Sequence, residues 1–309
     1  MSEVTPPYEP AQGSLPRPTR IAGRTFTWGE RTYVVGILNV TPDSFSGDGL
    51  LAPGSGPGSG PGSGPGTSSA AVLARAVAAA RKMIDEGADI LDIGGESTRP
   101  GHRPVSGPEE ISRVVPVIEA IRAELPESAI SVDTTKLEVA EAALDAGADL
   151  LNDVWGVGPD DRRVRLAAGR SVPIILMHDR AEPIYRDVVA EVIADLGRAI
   201  ERAVEVGCSL DSLIIDPGFG FGKTPEHNLE IVRRLAELHV LGRPILLGTS
   251  RKSTLGRVLD LPPEERLEAT LATSAIAVAA GVDLVRVHDV RANLRVTRLC
   301  DAIFRAGMP

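Results

Sequence analysis

Eight short apolar runs, amphipathic stretches between them, and polar residues gathered after nearly every run predict an α/β protein, a (β/α)8 TIM barrel with a short N-terminal hairpin. The runs cover residues 34–40, 90–93, 130–132, 150–151, 174–177, 213–215, 245–247 and 284–287. They are continuous rather than alternating, as suits strands buried on both faces. A weak internal repeat supports the alternation. Gly87-Ala88-Asp89-Ile90-Leu91, Gly147-Ala148-Asp149-Leu150-Leu151 and Gly281-Val282-Asp283-Leu284-Val285 each place a glycine at a helix end, then a short turn, then an apolar strand. An open, doubly wound sheet is the alternative. The barrel accounts better for the polar motifs, because only a closed ring points them all at one centre.

Residues 1–17 carry several prolines and little apolar content, and read as a disordered lead-in. Residues 18–309 read as a single domain. Its opening stretch, from Arg20 to Tyr33, alternates loosely around Gly23 and Gly29-Glu30, as a hairpin would. The first long run then ends in Asn39, followed by Thr41-Pro42-Asp43-Ser44. Pro42 has no amide hydrogen, so a central strand cannot continue there. Residues 54–66 repeat Gly-Ser-Gly-Pro and offer no side chain able to pack, so 50–68 reads as a flexible insertion in the first βα loop. The clearest helical pattern places Ile184, Val188, Val189, Val192, Ile193, Leu196, Ile200 and Val204 on one face. Residues 108–125 and 263–280 also read as helical.

The chain has 309 residues and 43% hydrophobic content, enough for a substantial core. A net charge of -9 argues against nucleic-acid partners, because no excess of Lys and Arg exists to neutralise phosphates. No apolar run of membrane-spanning length occurs, and the polar N-terminus does not resemble a signal peptide. Cys208 and Cys300 read as small core residues. A soluble, cytoplasmic protein is expected.

The strand ends carry the chemistry. After the second run stands Asp92-Ile93-Gly94-Gly95-Glu96-Ser97-Thr98-Arg99-Pro100-Gly101. Its glycines allow a ligand close to the backbone, and Thr98 and Arg99 can donate to an anion. An ordinary βα turn with a surface arginine is the plainer reading of this stretch alone. The third run ends in Asp133, the fourth in Asn152-Asp153, and the sixth in Asp216-Pro217-Gly218-Phe219-Gly220-Phe221-Gly222-Lys223. Such groups are costly to bury without partners. A heterocycle edge with adjacent N–H donors would pair with an Asp, Asn152 supplies both donor and acceptor, and Phe221 offers an apolar edge to a flat ring. Lys252, Arg286 and His288, after the last two runs, form a cationic group suited to phosphate oxygens. Arg251 reads as solvated, and a lone strand-end His178 reads as structural. No Ser-His-Asp, Cys-His or His-rich metal arrangement stands out, so the site looks built for binding and electrostatics.

In this order the motifs resemble those of dihydropteroate synthase over roughly residues 20–307. The matching runs are 36–46 (GILNVTPDSFS), 92–101 (DIGGESTRPG), 131–134 (SVDT), 152–154 (NDV), 216–224 (DPGFGFGKT), 247–253 (LGTSRKS) and 286–290 (RVHDV). The resemblance implies a pterin-binding barrel that joins (7,8-dihydropterin-6-yl)methyl diphosphate to 4-aminobenzoate, giving 7,8-dihydropteroate and diphosphate. It assigns Asp216 to the amino-pyrimidine edge of the pterin, with Asp133, Asn152 and Lys252 completing that pocket. Asn39 matches a Mg²⁺ ligand, and Thr98, Arg286 and His288 match diphosphate contacts. Phe45, Arg99, Pro100 and Ser250 match groups around the aminobenzoate. Asp133, Lys252, Arg286 and His288 would then serve the chemistry, with no side-chain nucleophile. The family usually forms homodimers through barrel helices. A pterin-binding methyltransferase and a catalytically silent paralogue are the competing readings. The first has no use for Thr-Pro-Asp-Ser-Phe, and the second none for so complete a set of polar residues. The chain departs from the family where Gly47-Asp48-Gly49 leads into the Gly-Ser-Pro tract.

A solvated tract has little packing to lose. Deleting residues 54–66 is expected to leave the melting temperature unchanged to within about 2 °C. A large fall in a thermal melt would show that the tract docks.

Overall fold

The computed structural model describes residues 15–41, 69–96, 104–153, 158 and 160–305. The lead-in up to residue 14 and the Gly-Ser-Pro insertion lie outside the described residues. The chain opens with an antiparallel hairpin, β1 (Thr19–Ile21) and β2 (Arg24–Phe26). Its two-residue turn has positive φ at Ala22 (50°) and Gly23 (73°), as a tight turn between twisted strands requires.

Eight parallel strands follow, alternating with helices: β3 (Tyr33–Asn39), α1 (Ser69–Asp85), β4 (Ile90–Gly94), α2 (Gly107–Glu124), β5 (Ala129–Asp133), α3 (Leu137–Asp145), β6 (Leu150–Asp153), α4 (Arg162–Arg170) and β7 (Ile174–Met177). The second half runs α5 (Val188–Glu205), β8 (Leu213–Asp216), α6 (Pro225–Arg233), β9 (Leu246–Leu247), α7 (Ser253–Leu259), α8 (Leu267–Ala279), β10 (Leu284–Val287) and α9 (Val290–Phe304). Their order is β8-β7-β6-β5-β4-β3-β10-β9. A parallel bridge from Ile215 to Ile245 joins the two ends, so the sheet closes as a barrel. Every expected strand is present at its expected place.

The barrel interior changes character along its axis. At the amino ends of the strands, Ile90, Ala129, Leu150, Ile175, Ile214, Leu246 and Leu284 pack together. Phe26 and Trp28 of the hairpin segment and Tyr33 stopper this end, with ring centroids 4.7 to 6.0 Å apart. Two residues further along, the strand period brings Asp92, Ser131, Asn152, Asp216 and Arg286 inward. The lower half is therefore a packed apolar core, and the upper half is polar. Outside the ring, the helices bury their apolar faces against the other sides of the strands.

The Gly-X-Asp repeat has a common structural use. Gly87, Gly147 and Gly281 leave their helices with φ of 97°, 107° and 83°, a conformation that favours glycine. Each following aspartate then caps the start of a neighbouring strand. Val34 N donates to Asp89 Oδ2 at 2.9 Å, Ile130 N to Asp149 Oδ2 at 2.9 Å, and Ile245 N to Asp283 Oδ2 at 3.1 Å. Arg31 pairs with Asp89 and Arg122 with Asp149, each at 2.6 Å.

Two expectations about α5 are corrected. Ile184 lies before the helix and is exposed, because Asp187 caps the helix by accepting from Val189 N and Ala190 N. Val204, in the last turn, is exposed as well. Cys208 and Cys300 are buried free thiols. Among the described residues, no helix is long and apolar enough to cross a membrane.

Truncating Asp283 strands Ile245 N and Gly29 N, which both donate to it. Asp283→Ala is expected to cost about 2–3 kcal/mol in a urea unfolding experiment, since buried donors without acceptors are expensive. Its kcat/KM is expected to stay unchanged.

Candidate active site

Arg286, on β10, reaches across the upper barrel between two carboxylates. Its Nε donates to Asp92 Oδ2 and its Nη2 to Asp133 Oδ2, each at 2.5 Å. The same Asp92 oxygen accepts from Asn152 Nδ2 at 3.2 Å. Three neighbouring strands, β4, β5 and β6, thus supply groups tied to one guanidinium. Burial raises the Asp133 carboxyl to about 7, with the Arg286 guanidinium opposing and the Asp92 and Glu110 carboxylates adding. Burial works against the charge on the Arg286 guanidinium, but the Asp92 and Asp133 carboxylates outweigh it, so the group is pushed up and stays charged.

The loop after β8 forms a second part of the site. Asp216 Oδ1 accepts from Gly218 N at 2.7 Å, and burial raises this carboxyl also. Gly218 and Gly222 have φ of 68° and 55°. A Cβ there would lie 1.7 Å from His178 O and 2.0 Å from Arg180 O, so the loop lies flat against the segment leaving β7. Lys223 fastens it from beneath, with Nζ donating to Gly218 O at 3.0 Å, Phe221 O at 2.9 Å and His178 Nδ1 at 2.9 Å. Asp195 Oδ2 is 3.0 Å from His178 Nε2, extending the chain through the buried imidazole. Burial lowers Lys223 to about 7 and His178 to about 4, and the Lys223 ammonium adds to the lowering of His178. Lys252 Nζ donates to Phe219 O and stands 4.5 Å from the Phe221 ring centroid. Burial lowers its ammonium to about 8, against the pull of Asp216.

The remaining parts lie on the last two loops. Ser250 Oγ is 3.0 Å from His288 Nδ1 and accepts from His288 N at 3.2 Å. Arg251 is not solvated as expected. Its φ is 57°, and its guanidinium pairs with Asp289 at 2.7 Å, which braces the turn between Ser250 and Lys252. At the foot of the second loop, Lys136 Nζ bridges Glu96 and the buried Glu110 at 2.5 and 2.6 Å.

Of the residues singled out from sequence, Asp133 meets Arg286 directly, Asn152 meets it through Asp92, and Phe221 and Lys252 meet over the β8 loop, close to Asp216. Ser250 and His288 form a pair, and Asn39 closes β3 opposite Gly94. Phe45, Thr98, Arg99 and Pro100 lie outside the described residues. Asp92 and Lys223 had no role in the sequence reading. Strand alternation from inward-facing Ile90 would have marked Asp92. Nothing local marks Lys223, whose partners are backbone oxygens of a folded loop. Among the described residues, no group of three or more His, Cys, Asp or Glu is placed to hold a metal.

This arrangement has close counterparts. Residues 66–288 match the family described as pterin binding enzyme. Dihydropteroate synthase of Clostridium beijerinckii is 45% identical over 287 residues, covering 93% of this chain and 99% of that protein. That of Bacillus subtilis is 47% identical over 278 residues, covering 90% of each. The Xanthomonas albilineans dihydropteroate synthase, solved with 4-aminobenzoic acid, superposes with a TM-score of 0.81 at 39% identity, covering 93% of this chain and 98% of that one. The chain therefore belongs to the pterin binding enzyme family, among its dihydropteroate synthases, which make dihydropteroate in folate biosynthesis.

Lys252 carries its charge below about pH 8 and loses it above. The kcat/KM for a diphosphate-bearing substrate is expected to fall as pH rises through about 8, because the free enzyme then lacks this cation. The residual activity of Lys252→Met, followed across the same pH range, is expected to lack that descending limb.

Proposed function

We propose that the upper barrel condenses (7,8-dihydropterin-6-yl)methyl diphosphate with 4-aminobenzoate. The observation that carries this reading is the Arg286 guanidinium held between Asp92 and Asp133 beside the Asn152 amide, which sets an anion-binding group next to a heterocycle-binding one. Asp216 pairs with the amino-pyrimidine edge, Asn152 and Lys252 complete the pocket, and Phe221 covers the ring. The C–O bond to diphosphate breaks, and the bonding electrons leave with the oxygen. Arg286, His288 and Thr98 stabilise the departing charge. The methylene becomes cation-like, with the Asp133 carboxylate nearby. The aniline nitrogen attacks it and then releases a proton. Phe45, Arg99, Pro100 and Ser250 surround the aminobenzoate. A Thermus thermophilus dihydropteroate synthase, 41% identical, has been solved with 6HMPPP, which supports the choice of first substrate.

Mg²⁺ is the proposed cofactor. Asn39 offers a single amide oxygen, and the described residues present no carboxylate cage. That donor set fits an ion coordinated mainly by diphosphate oxygens and water, as Mg²⁺ prefers. When bound, it supplies charge neutralisation on the leaving group. We also propose a cytoplasmic homodimer. Free, buried cysteines suit a reducing compartment, and Ile276, Leu299, Ile303 and Phe304 expose apolar area along α8 and α9 for a second copy.

Purified protein with Mg²⁺ and the pterin diphosphate is expected to release diphosphate only when 4-aminobenzoate is present. Arg286→Ala is expected to lower kcat/KM by about 10²- to 10³-fold. Amine-independent release, or full activity in Arg286→Ala, would overturn the reading.

A further inference from the structure

Asp92 is buried completely, yet among the described residues one of its oxygens takes every hydrogen bond. Oδ2 accepts both from Arg286 Nε and from Asn152 Nδ2, while Oδ1 is buried with no hydrogen-bond partner among those residues. Burying that oxygen costs desolvation that no hydrogen bond returns. Its value must lie in what Oδ2 does to its two partners.

The two bonds constrain different freedoms. The bond to Nε fixes Arg286 by the edge nearest its own stem and leaves Nη2 on Asp133. A guanidinium presents a rigid fork, so holding Nε sets the direction of both Nη groups. The bond to Asn152 Nδ2 sets which way that amide is turned. With its NH2 end committed to a carboxylate, Asn152 presents its carbonyl oxygen as an acceptor for a ring N–H. Without Asp92, the amide can rotate by half a turn and exchange donor for acceptor.

We infer that Asp92 is a positioning residue that couples the two halves of the substrate site, turning the Asn152 amide toward acceptance of a ring N–H and aiming the Arg286 fork at the diphosphate. This rests on the roles proposed above for Asn152 and Arg286. It adds a requirement they do not contain: a single oxygen on β4 makes ring recognition and leaving-group stabilisation depend on each other. The chemical class recognised through Asn152 is a heterocycle that donates at that point. A ring that accepts there is rejected, because it would face the carbonyl oxygen.

The test is a double-mutant cycle read with 6-hydroxymethyl-7,8-dihydropterin, which carries the ring without the diphosphate. Asp92→Ala is expected to weaken its binding, measured by calorimetry, about 10-fold. In an Asn152→Ala background, Asp92→Ala is expected to cause no further loss. With the full substrates, Asp92→Ala is expected to lower kcat about 10²-fold through misalignment of Arg286. Asp92→Asn keeps an acceptor in place of Oδ2. It is expected to restore ring affinity to within about 3-fold while kcat stays about 10-fold low, because a neutral acceptor holds the guanidinium less firmly. This variant also serves if the alanine protein fails to fold. Equal losses from Asp92→Ala with and without Asn152, or full kcat in Asp92→Asn, would overturn the inference while Asn152→Ala and Arg286→Ala still impair the enzyme. Unimpaired Asn152→Ala and Arg286→Ala proteins would instead bring down the site assignment on which it rests.

Discussion

One guanidinium in the middle of a closed ring is the interaction on which the upper barrel depends. Arg286 comes from the last strand, and its partners Asp92 and Asp133 come from β4 and β5, on the far side of β3. Without that cation, burial of the two carboxylates would be prohibitive. Closure between β8 and β9 curls the sheet until these side chains meet over the apolar floor. The charges then share a short hydrogen-bonded network. The same network is what the proposed reading has a diphosphate and a polar heterocycle enter.

Stability and chemistry occupy opposite ends of the barrel. At the amino ends, aromatic side chains of the hairpin segment and the three strand-capping aspartates tie neighbouring strands together. At the carboxyl ends the groups carry shifted proton affinities and idle polar atoms, as in Asp133, Lys252 and Asp92 Oδ1. That division is expected of parallel barrels, where loops after the strands carry function and loops before them carry stability. The β8 loop spans both roles, because Lys223 and the buried His178 beneath it hold the backbone on which Phe221 and Lys252 meet.

Much of this was legible in the chain before folding. Continuous apolar runs marked each strand, and the polar residues ending them, Asn39, Asp133, Asn152, Asp216, Arg286 and His288, are ones the fold carries to the carboxyl ends of the strands. What escaped notice has physical reasons. Asp92 sits within a strand rather than at its end, so its inward direction depends on the register of the barrel. Lys223 looks like one more cation in a glycine-rich loop until the fold brings four backbone and ring acceptors around it. Arg251 looks solvated because Asp289, its partner, is distant in sequence. The beginning of α5 was set too early because apolar periodicity ran past the cap at Asp187, which decides where the backbone can turn helical.

The hairpin segment and the final helices hold each other. Thr32 offers both its N–H and its hydroxyl to Asp301, and Gly29 N donates to Asp283, across 269 and 254 residues of chain. These are among the most non-local contacts a chain of this length can make, and loop-closure entropy must be met before they contribute. During synthesis the first strand emerges long before its clamp exists. The amino end of the barrel therefore stays unsealed until the last helix leaves the ribosome, and its aromatic residues remain open to chaperones, or to one another, for most of translation.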